Sequence, residues 1–172
     1  MPAKSSTDKF DIHETAESIT IIFSSTMENI DRTCDKALKF LIRIFKDHIC
    51  QYGEENEIRK EDSECYDCFK RHLFAIQLVM REGLTNAVRH GNSLNASKTV
   101  TCSVKMNSDL LLRMEIEDQG DGFNWREEQR FKDIDETSDH GRGLMIMEQY
   151  FSKYWYNESG NKLVLEKIVG LK

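Results

Sequence analysis

Two stretches in which every second residue is apolar constrain the fold of this chain more than any other feature. Their apolar positions are Val100, Cys102, Val104, Met106, Leu112, Met114 and Ile116. Because strand side chains point alternately to the two faces of a sheet, each stretch predicts a strand with one buried face. The polar segment 107–109 between them predicts a turn, so the pair forms a β-hairpin.

Helical periodicity replaces this alternation in two longer segments, 27–49 and 65–90. Apolar residues recur there every three or four positions, and they are Ile30, Cys34, Leu38, Leu41, Phe45, Ile49, Phe69, Leu73, Ile76, Met80, Gly83 and Ala87. Such stripes predict two helices that each bury one side. Gly91 and Asn92 supply a stop for the second helix.

The N-terminal half contains three further segments. The apolar run 18–25 predicts the first strand, and the polar residues 1–16 predict a flexible leader before a single domain that spans 17–172. The charged connector 51–64 predicts a solvated loop, with a frayed extension of the first helix as the alternative.

The C-terminal half is expected to contain a lid, a short helix and a hairpin. Residues 124–140 hold few large apolar side chains and many charges, which is typical of a lid at about 124–140. The apolar spacing of 144–151 predicts a helix, and 153–169 predicts a closing hairpin that turns at 158–161.

Composition excludes several classes of protein. The chain has 172 residues, 31% of them charged, and a net charge of −6, which describes one globular domain and disfavours general nucleic-acid binding. No apolar run reaches the roughly 20 residues of a membrane span. No secretory signal is visible, so a cytoplasmic location is expected. Cys65, Cys68 and His72 would make an incomplete zinc site, and ordinary thiols are the favoured interpretation.

The strand that contains Ile116 continues in phase to Asp118, which places a carboxylate at the end of a core-facing row. A buried carboxylate is costly unless it is hydrogen-bonded, so Asp118 needs a donor. Gly120 and Gly122 lack side chains and would let a flat ligand approach the backbone. The alternative is a local turn in which Asp118 accepts hydrogen bonds from its own downstream amides.

Two other polar groups have features of a site. Glu82, Asn86 and His90 are spaced by four and share one side of the second helix, although a solvated helix edge would look the same. Residues 140–144, HGRGL, place glycines before a helix, whose N-terminal amides suit phosphate, although a lone G-x-G is common.

Together these groups resemble the nucleotide-binding boxes of the GHKL ATPase and kinase superfamily. Residues 82–91 resemble its E-x-x-x-N-A-x-x-H-G box, 118–123 its D-x-G-x-G-F box, and 141–144 its G-x-G-L box. The resemblance implies an α+β fold, the two-layer Bergerat sandwich, with a mixed and mostly antiparallel sheet and helices on one face. Within the superfamily the chain looks most like the bacterial anti-sigma-factor serine/threonine kinases.

The resemblance also implies a role for each matching residue. Asp118 would accept a hydrogen bond from adenine, Asn86 would bind Mg²⁺, and Glu82 would orient or deprotonate the attacking hydroxyl. The remaining nucleotide-binding positions would be Gly120, Gly122, Phe123, Gly141, Arg142, Gly143 and Leu144.

The function that the resemblance implies is ATP-dependent phosphorylation of an STAS-type anti-sigma-factor antagonist, in a partner switch with a sigma factor. A homodimer is expected on the same ground. The alternatives are a binding module that holds adenine nucleotide without transferring phosphate, and a partner-switching regulator of another target.

Overall fold

A computed structural model describes residues 8–56, 63–126 and 147–169, with side chains over 8–47, 70–126 and 147–169. Its elements in chain order are β1 (Phe10–Glu14), β2 (Ser18–Ser24), α1 (Met27–Asn56), α2 (Ser63–Asn86), a π-helical turn (Ala87–Gly91), β3 (Thr99–Met106), β4 (Leu111–Glu117), β5 (Lys153–Tyr156) and β6 (Lys162–Ile168). The predicted α+β class is confirmed.

The six strands form one sheet in the order β1-β2-β3-β4-β6-β5. Each pair of neighbours in it is antiparallel, so the expectation of a mixed sheet was wrong for the described strands. The predicted hairpin is β3 and β4, in which Cys102 lies opposite Ile116. Its seven predicted core positions are each at most 2% exposed.

The two helices cover one face of this sheet, which gives two layers. Side chains from both helices join those of β2, β3 and β4 in one hydrophobic core. The opposite face of the sheet is polar and carries ion pairs, such as Arg113 with Glu166 at 2.9 Å. None of the helices in the described ranges is both long and apolar enough to cross a membrane.

The expectation of a flexible leader over 1–16 was wrong for residues 10–14, which form strand β1 on the edge of the sheet. The Phe10 ring is the reason, because its centroid lies 6.3 Å from that of Phe23. The Arg32 guanidinium covers the Phe10 ring at 3.7 Å, and Arg43 pairs with Glu14 at 2.8 Å. These contacts with α1 hold a segment whose composition alone looks unstructured.

The predicted loop over 51–64 was also wrong at both of its ends. Helix α1 continues to Asn56 and α2 begins at Ser63, while residues 57–62 lie outside the described part. Gln and Glu have high helix propensity, so they outweigh the single Gly53 in that last turn of α1. The frayed-extension alternative was the better one for residues 51–56.

Candidate functional site

Helix α2 and the π-helical turn lie across the end of β4, and two glycines allow this approach. A Cβ atom at Gly83 would come within 2.7 Å of the Ile116 side chain on β4. A Cβ atom at Gly91 would overlap the carboxyl group of Asp118, the residue that follows β4. The end of this helical segment therefore contacts the Asp118 carboxyl directly.

Asp118 is half-buried at this contact, and its two carboxylate oxygens differ. Oδ1 accepts a hydrogen bond of 2.8 Å from the Gly120 amide, so the local turn considered from the sequence does form. Oδ2 has no hydrogen-bond partner among the described residues. Burial raises the pKa of the Asp118 carboxyl, although the Gly120 amide and the Lys98 ammonium oppose this shift. One oxygen of a partly desolvated carboxylate is thus left to accept a hydrogen bond from a ligand.

Gly120 lies directly against Gly91, and Gly91 in turn lies directly against Asp118. A Cβ atom at Gly120 would overlap the Gly91 carbonyl oxygen. A side chain at either glycine would separate the helix end from the loop that follows β4. The pair therefore fixes where the Asp118 carboxyl lies relative to α2.

Asn92 joins the same two segments with hydrogen bonds. Its side chain is fully buried, donates to the Thr99 carbonyl at 2.9 Å, and accepts from the Gln119 amide at 2.9 Å. Gln119 in turn accepts a 2.7 Å hydrogen bond from the Thr99 amide through its own side chain. Asn92 therefore links the end of the helix to the start of β3 and to the loop beside Asp118.

The loop that follows β4 also rests on the turn between β5 and β6. Gly122 has φ +73° and a Cβ atom there would overlap the Ser159 carbonyl, while one at Gly160, with φ +75°, would overlap Phe123. The Asn161 carbonyl accepts from the Asp118 amide at 3.0 Å, and the Asn161 side chain donates to the Asp118 carbonyl at 3.1 Å. The backbone on both sides of the carboxyl is therefore held.

Phe123 closes this loop with an aromatic contact. Its ring meets Tyr156 of β5 edge to face at 4.9 Å between centroids, and Trp125 also lies 6.3 Å from the Tyr156 ring. Phe123 remains 38% exposed. Its position is consistent with a side chain that supports the loop and still offers surface at the rim of the site.

Glu82 and Asn86 lie on α2, half-buried and one helical turn apart. Neither side chain has a hydrogen-bond or ion-pair partner among the described residues. Their neighbour Gly83 contacts Ile116, so both residues flank the part of the helix that packs on β4. Mg²⁺ prefers oxygen ligands such as the amide oxygen of Asn86 and the carboxylate oxygens of Glu82. This pair is suited to a hydrated Mg²⁺ ion that also binds the phosphates of a nucleotide.

The π-helical turn begins directly after Asn86. The Asn92 amide donates to the Ala87 carbonyl at 2.8 Å, five residues back, and the Leu94 amide donates to the Val88 carbonyl at 2.8 Å. Single π turns inside helices are frequent at functional sites. Here the wider turn brings Gly91 against Asp118, and the neighbouring His90 is exposed.

An antiparallel sheet covered by helices, with a strand-end carboxylate beside a glycine-bearing helix end, is the arrangement of the GHKL class of ATP-binding domains. A family model described as a histidine kinase-like ATPase domain matches residues 51–167, more than half of the chain. The chain belongs to that family, which implies ATP binding with a kinase-like or ATPase activity. No curated protein matches the sequence.

The structure brings some of the predicted site residues together and leaves others outside its described ranges. Asp118, Gly120, Gly122 and Phe123 form one loop against the π-helical turn that follows α2, and α2 carries Glu82 and Asn86. Gly141, Arg142, Gly143 and Leu144 lie outside the described residues, as does the predicted lid beyond Arg126. The Cys65 and Cys68 side chains lie outside them as well.

Sequence reasoning missed three residues of this region. Gly91 was interpreted as a helix stop and as the last residue of the box at 82–91, and its contact with Asp118 was not predicted. Asn92 was interpreted only as part of a helix stop and Gly160 only as part of the turn at 158–161, because their contacts with the loop after β4 depend on which segments meet in the folded chain.

Proposed function

We propose that this protein is a Mg-ATP-dependent protein serine/threonine kinase of the anti-sigma-factor type. The observation that carries the nucleotide part is the Asp118 carboxyl, with Oδ1 held by Gly120 and Oδ2 available beside Gly91. The exocyclic amino group of adenine is a donor that fits such an acceptor. A carboxylate fixed by its surroundings also needs little reorganisation when the base binds.

The transfer part of the proposal rests on Glu82 and Asn86. Asn86 would hold Mg²⁺ through its amide oxygen, and the metal would neutralise charge on the transferred phosphate. Glu82, one turn earlier, would accept the proton of the acceptor hydroxyl as its oxygen bonds to the γ-phosphorus and the bond between that phosphorus and the bridging oxygen of ADP breaks, so that ADP leaves. Gly120, Gly122 and Phe123 would border the nucleotide, and Gly141, Arg142, Gly143 and Leu144 would close on its phosphates in a lid.

The proposed partners follow from the family resemblance. The acceptor would be a serine or threonine of an STAS-type antagonist, a sigma factor would compete for the kinase, and the kinase would act as a cytoplasmic homodimer. Phosphorylation of the antagonist would release it and leave the kinase to bind the sigma factor.

The test is transfer of labelled γ-phosphate from ATP to a purified STAS-type protein of the same organism. Glu82→Gln keeps the size of the side chain but cannot accept a proton, so we expect transfer to fall by about 100-fold or more. ATP affinity is expected to stay within about threefold, because Gln causes little change in packing. Glu117→Gln is the matched control, since that carboxylate pairs with Lys162 on the polar face of the sheet.

Tight ATP binding without transfer to any acceptor would overturn the kinase proposal. That result would favour the alternative of a nucleotide-dependent binding module. If phosphate is transferred to an acceptor unrelated to sigma-factor control, the proposed kinase activity is correct and the proposed partner is wrong.

A further inference from the structure

The outer side of α2 exposes two large apolar side chains that the core does not use. Phe74 is 65% exposed and Leu78 is 36% exposed. Residues four apart on a helix are neighbours, so the two side chains form one continuous surface, here called the Phe74–Leu78 patch. Contiguous exposed apolar surface of this kind marks interaction sites more often than single exposed residues do.

Basic side chains lie around this patch, except that the acidic Glu82 follows Leu78 by one turn. Residues 70–81, KRHLFAIQLVMR, contain Lys70, Arg71 and Arg81 and no acidic residue, within a chain whose net charge is −6. Arg71 is exposed beside Phe74 on the same side of the helix. Arg81 pairs with Asp31 of α1, which neutralises one of these cations. The surface is therefore apolar with the Arg71 cation at the end far from Glu82, and it suits a partner surface that is apolar with a carboxylate at that end.

The Phe74–Leu78 patch leads directly to the proposed catalytic carboxylate. Leu78 lies one turn before Glu82 and Phe74 two turns before it, which is about 6 Å and 12 Å along the helix axis. Steps of four residues rotate only about 40° around an α-helix, so the patch and Glu82 lie on adjoining parts of the surface. A protein that presents a hydroxyl to Glu82 would cover the patch with the surface around that hydroxyl.

We propose that the Phe74–Leu78 patch docks the protein that receives the phosphoryl group, through apolar side chains of that protein and a carboxylate at the Arg71 end. The inference rests on the proposed kinase function and adds to it the surface by which the acceptor is selected. Apolar contact would supply affinity, and Arg71 would orient the partner through that carboxylate.

The test separates binding of the acceptor from the transfer step, with the STAS-type protein that accepts phosphate as the probe. Phe74→Ala is expected to raise KM for the whole acceptor protein about 10-fold, which is typical for loss of one apolar anchor. The value of kcat and the KM for ATP are expected to stay unchanged. A short peptide centred on the phosphorylated residue cannot reach the patch, so its rate should not change.

Ile168→Ala is the matched control, because Ile168 is 63% exposed and lies on β6 at the end far from Asp118. It should leave every constant unchanged. Arg71→Ala is expected to raise KM for the acceptor about threefold at low salt and less at high salt, since screening weakens the contact. The same change at the exposed Lys46 of α1 serves as its control.

If the Phe74→Ala variant transfers phosphate with an unchanged KM for the acceptor protein, the docking proposal is wrong and the kinase function is unaffected. Failure of the wild-type chain to phosphorylate any STAS-type protein would overturn the kinase function and the docking proposal together. If light scattering showed that Phe74→Ala dissociates a homodimer, a second copy of the chain would cover the patch, and the proposal would be wrong.

Discussion

At the scale of single residues, the two oxygens of the Asp118 carboxyl lie in different environments. Oδ1 caps the Gly120 amide, as in any turn of this type, while Oδ2 stays available. A carboxylate used only for the turn would gain nothing from burial, because burial raises its pKa and disfavours the charged form. The unfavourable environment is accounted for when a donor on the ligand completes the hydrogen bonding.

Asp118→Asn is expected to lower ATP affinity at least about 10-fold, since a charge-assisted hydrogen bond of about 1.5–3 kcal/mol is lost. The Asn oxygen would remain on the Gly120 amide, so its NH₂ group would face the adenine amino group. Calorimetry with Mg-ATP measures the change, and Glu117→Gln should bind ATP normally. Affinity unchanged in Asp118→Asn would contradict the assignment of adenine to this residue.

The raised pKa of the Asp118 carboxyl predicts opposite effects of pH on the stability of the fold and on ATP binding. The raised pKa in the folded state means that Asp118 contributes stability below the ordinary value of 3.8, and that this contribution is lost as pH rises through the folded pKa. Without nucleotide, the Asp118→Asn variant should therefore have a higher melting temperature than wild type at pH 7. The difference should be smaller at acidic pH. ATP binding should weaken as pH falls in wild type, because the protonated carboxyl is a poorer acceptor. Melting curves with and without ATP measure both effects.

Gly91→Ala tests the contact between the helix end and Asp118. The added methyl group would overlap the carboxyl, which cannot move without losing its bond to Gly120, so we expect a loss of about 1–3 kcal/mol in the free energy of unfolding. ATP affinity should fall about 10-fold or more. In Gly83→Ala the methyl group meets only the flexible ends of the Ile116 and Leu163 side chains, and the gain in helix propensity offsets these contacts within about 1 kcal/mol. Equal ATP affinity in both variants would show that Gly91 has no special role.

At the scale of elements, the site is held by the junctions between helix, strand and turn. The π-helical turn, the loop after β4 and the β5–β6 turn each lack regular pairing at the point where they meet. Asn92, Asn161 and Gly122 supply the hydrogen bonds or the close approach there. The position of Asp118 relative to Glu82 therefore depends on these cross-links as much as on the sheet.

Asn92→Ala removes the buried link between the π-helical turn and the loop beside Asp118. The Gln119 amide and the Thr99 carbonyl both lose this side-chain partner, which should cost about 2–3 kcal/mol in the free energy of unfolding. Asn95→Ala, at an exposed position whose side chain bonds only to Ser97, should cost less than about 1 kcal/mol. Urea denaturation of both variants measures the difference, and similar losses would contradict a linking role for Asn92.

The elements themselves could be predicted because burial repeats locally along the sequence. Period-two alternation gave β3 and β4, and the apolar stripes gave α1 and α2, within a few residues of their ends except at the end of α1, which continues from 49 to Asn56. The edge strand β1 could not be predicted, since Phe10 is stabilised by Phe23 and Arg32, which are distant in sequence. The roles of Asn92 and Gly160 escaped prediction for the same reason, whereas Asp118 was found because it broke a core-facing pattern.

At the scale of the whole molecule, two thiols in the core offer a measure of global unfolding. Cys34 of α1 and Cys102 of β3 are both buried, and burial raises the pKa of Cys34 to about 11 and of Cys102 to about 12. Both exceed the ordinary value of 9.0, so these thiols favour the folded state below pH 9 and this contribution is lost toward pH 12. A thiolate forms readily only when the chain opens.

Thiol labelling should therefore report ATP binding in a variant with Cys50, Cys65 and Cys68 replaced by serine. Because ATP binds only the folded chain, ATP at about 100 times its Kd should slow labelling of the remaining thiols about 100-fold. Adding Asp118→Asn should reduce this protection to about 10-fold or less, while the labelling rate without ATP follows the variant's own stability. Urea dependence of the rate identifies global opening, since it scales with the surface exposed. Labelling that requires global opening yet is unaffected by Mg-ATP would show that the folded chain does not bind the nucleotide, whatever the geometry around Asp118.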